Sequence, residues 1–230
     1  MSTKNILITG ASSGIGRALA RELGKEHHII VGGRNQQAVD ELVAELPSAE
    51  PFLVDVTDEA ALEQAVSGLD KVDVLVNSAG ALWRGPSEEF SRTDWYNGFN
   101  LNVFAAVDLT NRLLPKLRES HGDVVFLNSG SGLYTYPGGT LYCATKFALK
   151  GFADALREEE RGNGVRVISI HPGRVDTEMQ VKAHQEQNLE QPYDGTKYVT
   201  ADAVAKTIRL TLETPREATI ETVVVRPSQP

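Results

Sequence analysis

Short runs of apolar residues alternate along the chain with longer amphipathic stretches. Each run is continuously apolar instead of alternating with polar residues, which is typical of parallel strands covered on both faces. We therefore predict seven strands, at Asn5–Thr9, His28–Gly32, Pro51–Val56, Val72–Asn77, Asp123–Asn128, Val165–His171 and Ile220–Val225.

The stretches between these runs have helical spacing. We predict helices at Gly14–Gly24, Gln36–Leu46, Asp58–Gly68, Asp94–Ser120, Leu141–Gly162 and Asp202–Glu213. Strand–helix repetition of this kind is typical of a doubly wound α/β fold with right-handed crossovers. The pattern thus predicts one domain over residues 1–230, with a seven-stranded, mainly parallel sheet and helices on both faces. The polar segment 179–199 has no clear period, and we predict that it is a mobile surface segment.

Composition narrows the possible partners. The 230 residues carry a net charge of −8 and include a single cysteine, Cys143. The acidic balance argues against nucleic acid as a partner, and one cysteine fits a reducing compartment. No apolar run approaches the roughly 20 residues that span a bilayer, and the first strand begins too early to leave room for a signal peptide. We expect a cytoplasmic protein with no membrane partner.

Gly10, Gly14 and Gly16 lie at the predicted turn from the first strand to the first helix. Without side chains, their backbone amides can approach a pyrophosphate, and the helix N-terminus adds positive partial charge. A tight turn that requires positive φ is the alternative explanation of such glycines. Their position after the first strand of an alternating α/β chain favours a dinucleotide.

Residues at the ends of the next three strands extend this prediction. Arg34 follows the second strand, where a dinucleotide-binding fold contacts the adenosine ribose. Because an arginine pairs well with a 2′-phosphate and no carboxylate occupies this turn, we predict NADP(H) instead of NAD(H), the alternative being a solvated loop charge. Asp55 is placed to accept from an adenine amino group or to serve in the turn before the next helix. Asn77–Gly80 offers small residues for close passage to the cofactor.

Tyr142 and Lys146 are four residues apart in a predicted helix and so share one face. A phenol with a pKa of about 10 exchanges protons poorly at neutral pH. A cation one turn away is expected to lower that pKa, which would make Tyr142 a proton donor to a carbonyl oxygen. A surface aromatic–lysine pair has the same spacing and is the alternative.

Two further polar residues favour the catalytic interpretation. Ser129 ends the fifth strand, and ligands of such sheets bind at the carboxyl ends of the strands. Its hydroxyl is therefore expected to meet the same carbonyl oxygen as Tyr142. Asn102 lies inside the helix Asp94–Ser120 and is predicted to hold a water that leads to Lys146; bonding to nearby backbone is the alternative.

Taken together, these segments resemble the short-chain dehydrogenase/reductase family over essentially the full chain, and its NADP(H)-preferring members in particular. Thr9–Gly16 is similar to the family's cofactor loop, and Asn77–Gly80 to its Asn-Asn-Ala-Gly segment, with Ser78 replacing the second Asn. Pro172–Thr177 is similar to its Pro-Gly segment. The resemblance implies a Rossmann-like fold and a homodimer or homotetramer joined through the helices at Asp94–Ser120 and Leu141–Gly162.

The resemblance also implies roles for individual residues. Asn102, Ser129, Tyr142 and Lys146 would form the catalytic tetrad, and Val175 and Thr177 would hold the nicotinamide carboxamide. The full set of expected cofactor contacts is Gly10, Ser12, Ser13, Gly14, Ile15, Gly16, Arg34, Asp55, Val56, Asn77, Ala79, Gly80, Tyr142, Lys146, Pro172, Gly173, Val175 and Thr177. We expect a substrate pocket lined by Trp83, Leu133, Tyr134 and Met179 and covered by the segment 179–199, with no metal.

The sequence thus predicts an NADP(H)-dependent oxidoreductase that interconverts a small carbonyl compound and an alcohol. Two alternatives stay open. One is a catalytically idle NADP(H)-binding sensor, and the other is an NAD-dependent alcohol dehydrogenase of the same fold.

Overall fold

The strands of the protein follow the predicted apolar runs. The computed structural model describes residues 3–186 and 191–228. Its strands are β1 (Asn5–Ile8), β2 (His28–Gly33), β3 (Ala49–Leu53), β4 (Val74–Asn77), β5 (Asp123–Leu127), β6 (Arg166–Pro172), β7 (Val175–Asp176), β8 (Val199–Thr200) and β9 (Thr222–Val225). All seven predicted strands are present. The third begins and ends earlier than predicted. We predicted that it begins at Pro51, but Pro51 lies inside β3, because β3 is at the edge of the sheet, where a missing N–H is tolerated.

The helices are α1 (Gly14–Leu23), α2 (Gln36–Glu45), α3 (Glu59–Ser67), α4 (Arg92–Phe99), α5 (Ala105–Glu119), α6 (Thr140–Glu160), α7 (Glu178–Glu186) and α8 (Ala201–Glu213). The predicted helix Asp94–Ser120 is wrong as one uniform α-helix, since a π-helical turn at Asn100–Phe104 separates α4 from α5. None of the described helices is long and apolar enough to cross a bilayer.

The polar segment 179–199 contains a helix that was not predicted. Its first part belongs to α7, in which Ala183 is the buried residue. With so little apolar surface to bury, this helix has no hydrophobic period for sequence analysis to detect. Residues 187–190 lie outside the described residues, and β8 ends the segment. The mobility of the segment stays a prediction.

One seven-stranded sheet organises the molecule. Its strand order is β3-β2-β1-β4-β5-β6-β9, and every neighbouring pair is parallel. From β1 the chain first adds β2 and β3 toward one edge of the sheet. It then returns to the other side of β1 and adds β4, β5, β6 and β9 toward the opposite edge. Such a reversal opens a crevice at the carboxyl ends of the strands, where ligands bind in sheets of this kind.

Alternate residues of the central strands pack on opposite faces of the sheet. Ile6 and Ile8 belong to a core shared with α1, α2 and α8, whereas Leu7 between them faces α3, α5 and α6. The same alternation separates Val74 and Val76 from Leu75. Because both faces are covered, a strand needs apolar residues at every position, which explains the continuous runs in the sequence. The predicted doubly wound fold is confirmed.

Candidate active site

A cavity of about 360 Å³ lies along the carboxyl ends of β1 to β4. Seven of the residues expected to contact a cofactor line it together with Arg34: Gly10, Ser12, Ser13, Gly14, Ile15, Gly16 and Val56. Three further predicted cofactor contacts, Ala79, Gly80 and Thr177, also line it. Gly32, Gly33, Asn35, Val54, Ser78, Leu101, Leu127, Glu178 and Met179 also line it, and sequence reasoning did not assign them to the cofactor.

Two glycines of the first turn are required by its shape. Gly10 has φ of +64°, and a Cβ there would lie 2.9 Å from Cα of Ala79. A Cβ on Gly16 would collide with the carbonyl oxygen of Gly10. The Thr9 hydroxyl accepts the N–H groups of Ser78 and Ala79, both at 3.0 Å, which ties this turn to the end of β4. The glycines of this turn therefore leave main-chain atoms open to the cavity.

The N-terminus of α1 opens onto the same cavity. Ser13 is its N-cap residue, yet its side chain makes no capping hydrogen bond within the described chain. The first amides of α1 thus keep their capacity to donate, and the helix dipole favours an anion there. A glycine-rich turn next to such amides fits the pyrophosphate of a dinucleotide.

The predicted adenosine contacts have other partners in the protein. Arg34 lines the cavity, and its Nη1 donates to Oδ2 of Asp55 at 3.2 Å. Asp55 Oδ1 accepts from the N–H and the hydroxyl of Thr57. Burial opposes ionisation of Asp55, but these bonds from Thr57 and Arg34 outweigh it and lower its pKa. These are the contacts of a turn residue, which is the alternative interpretation, and the contact of Asp55 with an adenine stays a prediction. Asn77 is buried and donates to Thr110 Oγ1 at 3.0 Å, away from the cavity.

A second cavity, of about 540 Å³, continues from the first toward the ends of β5, β6 and β9. Ser129, Tyr142 and Lys146 all line it, together with Pro172, Gly173 and Val175 of the Pro-Gly segment. Thr177 and Met179 line both cavities. The phenol, the ammonium and the serine hydroxyl are thus brought to one place from α6 and from the turn after β5.

The pKa of Tyr142 moves opposite to the expected direction. Burial raises it to about 12, and a hydrogen bond with the Ser129 side chain only partly opposes the rise. Lys146 is 5% exposed, and burial lowers its pKa to about 8. Its Nζ donates to the carbonyl oxygen of Leu127 at 3.1 Å and lies 5.7 Å from the centre of the Tyr142 ring. The expected lowering fails because removal from water is the largest influence on the pKa of each group.

Hydrogen bonds fix the turn that carries Ser129. The Ser129 hydroxyl accepts the N–H of Ser131 at 3.1 Å, and Nδ1 of His171 lies 2.9 Å from the carbonyl oxygen of Ser129. His171 is fully buried on β6, and burial lowers its pKa. A neutral imidazole can donate from Nδ1 to that carbonyl, which fixes the main chain behind the serine.

Asn102 lies in the π-helical turn and is 1% exposed. Its Oδ1 accepts the N–H of Ala81 at 2.9 Å, and its Nδ2 donates to the carbonyl of Ala81 and to Thr145 Oγ1. The side chain therefore joins the segment after β4 to α6, which is the backbone-bonded alternative. Asn102 lines neither cavity. Its Oδ1 and the Nζ of Lys146 nevertheless both lie within 4 Å of the point that a Cβ on Gly80 would occupy. Its role in a proton relay stays a prediction.

Two of the four expected substrate-pocket residues line the second cavity. Tyr134 and Met179 do, whereas Trp83 and Leu133 lie outside its lining. Both are part of turns whose side-chain directions a strand–helix pattern does not fix. Sequence reasoning missed the charged part of the wall, Arg84, Arg174 and Arg226. Arg226 comes directly after β9, so the rule that ligands bind at carboxyl ends of strands could have identified it.

Comparison with known proteins gives consistent relationships. The family model for short chain dehydrogenases matches residues 4–188. The chain is 38% identical to the serine 3-dehydrogenase of Agrobacterium fabrum, over 96% of this chain and 93% of that protein. It is 32% identical to the NADP-dependent 3-hydroxy acid dehydrogenase of Schizosaccharomyces pombe, over 98% and 93%. The closed form of a serine dehydrogenase complexed with NADP+ superposes with a TM-score of 0.86 at 30% identity, over 97% of this chain and 94% of that one.

Proposed function

This chain belongs to the short-chain dehydrogenase family, and on that premise we propose that it is an NADP(H)-dependent oxidoreductase that interconverts a carbonyl compound and an alcohol. The observation that carries the proposal is the convergence of Ser129, Tyr142 and Lys146 on one cavity that continues into the glycine-lined crevice. Relatives that are named as dehydrogenases of hydroxy compounds support the reaction class.

The glycine turn and α1 would bind the pyrophosphate, and Arg34 would bind the 2′-phosphate. Pro172, Gly173, Val175 and Thr177 would hold the nicotinamide end, where the two cavities meet. When bound, the cofactor supplies or accepts the hydride. The nucleotide-bound relative and the NADP-dependent one support this choice of cofactor.

The residues of α6 and the turn after β5 would manage the proton. In reduction, the Ser129 hydroxyl donates a hydrogen bond to the carbonyl oxygen, and Tyr142 transfers its O–H proton to the forming alkoxide. The resulting phenolate is stabilised by the Lys146 ammonium. In oxidation the proton returns from the alcohol to the phenolate. Since the pKa of Tyr142 is about 12 without ligands, the unliganded site holds the proton that reduction needs.

Tyr142→Phe tests this assignment, because it removes the acidic hydroxyl and keeps the ring. We expect kcat for reduction of a ketone panel to fall about 100-fold or more, with the NADPH dissociation constant from fluorescence titration little changed. Tyr96→Phe, on an exposed face of α4, is the matched control and should keep full activity. Near-wild-type turnover by Tyr142→Phe would overturn the assigned role.

The choice between NADP(H) and NAD(H) depends on Arg34. The Arg34–Asp55 pair is solvent-exposed and therefore contributes little to stability, so the guanidinium can exchange this partner for a phosphate. We expect Arg34→Ala to raise KM for NADPH at least about tenfold while KM for NADH stays nearly constant. Asp55→Asn, which removes the negative charge that competes for Arg34, should leave KM for NADPH equal or lower. An equal loss for both cofactors in Arg34→Ala would refute the assignment.

We further propose that the protein is a homodimer or homotetramer. Large apolar side chains are exposed around α4, the π-helical turn and α6, namely Tyr96, Phe104 and Phe147. A face of this kind is typical of an interface between subunits. Light scattering of the purified protein should give the mass of two or four chains, and Phe147→Glu should lower it. A monomeric wild type would disprove the assembly.

A further inference from the structure

The wall of the second cavity is positively charged in a protein that is acidic overall. The chain has 31 acidic and 23 basic residues. Arg84, Lys146, Arg174 and Arg226 nevertheless line this cavity, and no Asp or Glu of the described residues does. Positive charge that is concentrated in a concave site raises the local concentration of anions.

Arg226 is held differently from most arginines of the molecule. Most arginines outside this cavity pair with carboxylates, as Arg118 does with Glu160 and Arg166 with Asp123. In the cavity, Arg226 instead stacks on the ring of Tyr134, with its Cζ 4.6 Å from the ring centre. Across residues 3–186 and 191–228, Arg226 has no carboxylate within ion-pair distance. Stacking fixes the guanidinium plane and leaves its N–H edge able to bind a ligand.

Two backbone relations place Arg226 beside the reacting groups. The carbonyl of Val225, the last residue of β9, accepts the N–H of Gly173 at 2.7 Å. The stem of Arg226 crosses Gly173, where a Cβ would lie 3.5 Å from Arg226 Cγ. Its stacking partner Tyr134 belongs to the same turn as Ser129, since the Tyr134 N–H donates to the carbonyl of Gly130.

Arg84 has its Cζ 5.4 Å from the ring centre of Tyr136, and both residues line the cavity. Arg174 lines it too and has its Cζ 5.2 Å from the ring centre of Tyr198. None of the three arginines lines the first cavity, where the glycine turn and Arg34 lie. Their charge is therefore directed at the substrate part of the site and not at the crevice for the dinucleotide.

We propose that Arg226 is the anchor for a carboxylate group of the substrate, and that Arg84 and Arg174 add to the positive field around it. The substrate class is then a keto acid and the corresponding hydroxy acid, in which the reacting oxygen faces Ser129 and Tyr142. A guanidinium and a carboxylate match in a bidentate geometry, which fixes the orientation of the substrate as well as its affinity. This inference rests on the proposed function.

The test compares acetoacetate with methyl acetoacetate, which differ in the negative charge and share the ketone. With NADPH, we expect wild-type kcat/KM to be about 10- to 100-fold higher for acetoacetate, the range of a charge-assisted hydrogen-bond pair. Arg226→Gln should lose most of this preference through KM, with kcat/KM for the ester nearly constant. Arg226→Lys should keep part of the preference, because the charge remains and the bidentate geometry is lost.

Arg92→Gln is the matched control, since it removes the same charge from an exposed position of α4 that lines neither cavity. It should behave as the wild type. Fluorescence titration should give one NADPH dissociation constant for all variants; a weakening confined to Arg226→Gln would assign Arg226 to the cofactor and overturn the proposal.

A second measurement keeps the inference separate from catalysis. The protein loaded with NADP+ cannot reduce a ketone, so calorimetry can give the dissociation constants of both probes without turnover. We expect tighter binding of acetoacetate in the wild type and equal binding of both probes in Arg226→Gln. Equal binding in the wild type, or no binding of acetoacetate, overturns the carboxylate anchor. Selective binding without turnover of any ketone would instead support the anchor and reject the proposed function.

Discussion

Burial of Lys146 is expected to destabilise the protein at neutral pH. Burial lowers the pKa of this lysine from 10.5 to about 8 in the folded protein. At about 1.36 kcal/mol per unit, this shift disfavours folding by about 3 kcal/mol at pH 7. The folded-state pKa is the lower one, so the penalty is full below about pH 8 and fades as pH rises from there toward 10.5. At pH 9 about 2 kcal/mol remains.

Lys146→Met removes this penalty while it fills nearly the same volume. The variant also leaves the carbonyl of Leu127 without its donor at 3.1 Å, a loss of about 1 kcal/mol. The balance predicts that Lys146→Met is more stable than the wild type by about 2 kcal/mol at pH 7 and by about 1 kcal/mol at pH 9. The same variant should lose most of its turnover, because the proposed phenolate of Tyr142 then lacks the cation one turn away on α6.

Urea denaturation of the protein without cofactor, at fixed protein concentration and at pH 7, 8 and 9, measures the free energy of unfolding of both proteins. Lys150→Met is the matched control, because Lys150 lies one turn further along α6 and pairs with Asp154 at 2.6 Å. Its effect should be small and the same at each pH. The reasoning is refuted if Lys146→Met is less stable than the wild type at pH 7, or if the difference does not shrink toward pH 9.

Three further changes test how the backbone supports the site. Gly10→Ala, at φ of +64° and with its Cβ in the main chain after β4, should weaken NADPH binding at least about tenfold and destabilise the protein by about 1–3 kcal/mol. Fluorescence titration and thermal denaturation measure the two effects. Asn102→Ala removes three hydrogen bonds of a buried side chain and should lower the free energy of unfolding, measured by urea denaturation, by about 2–4 kcal/mol. A decrease of less than about 1 kcal/mol would contradict the bonding role. His171→Gln should reduce the loss of stability between pH 7 and pH 5. The buried imidazole of the folded protein has a lowered pKa and stays neutral, whereas the same imidazole takes up a proton in the unfolded chain. An unchanged dependence of the unfolding free energy on pH would exclude His171 as a source of that loss.

The strands of the sheet and their mainly parallel arrangement could be predicted because burial on both faces leaves a strong mark on the sequence. Ile6, Leu7 and Ile8 all need to be apolar, although they face two different cores. The carboxyl-end rule then places Gly10 and Ser129 at one edge of the sheet without any knowledge of contacts. Position along a strand therefore carries most of the information about the site.

The π-helical turn and α7 could not be predicted, because neither changes the local pattern. Asn100–Phe104 continues a helical sequence, and one extra residue in a turn leaves no compositional sign. Yet this turn places Asn102 where both of its polar atoms bond to the main chain of Ala81. Only the packing of α4 and α5 around α6 determines that register.

The pKa shifts in the site could not be predicted from the sequence, for a different reason. The spacing of Tyr142 and Lys146 shows that the two groups share a face, but the sign of a pKa shift depends on how much water each group loses. Burial raises the Tyr142 pKa to about 12, and among the groups that oppose the rise are Ser129 and the cation of Arg84. Arg226 is placed differently, stacked on Tyr134 next to Gly173. In the proposed reaction the same positive wall therefore serves both proton transfer and substrate recognition, with Arg84 acting on Tyr142 as well as on the field around the carboxylate, and Arg226 binding that carboxylate directly.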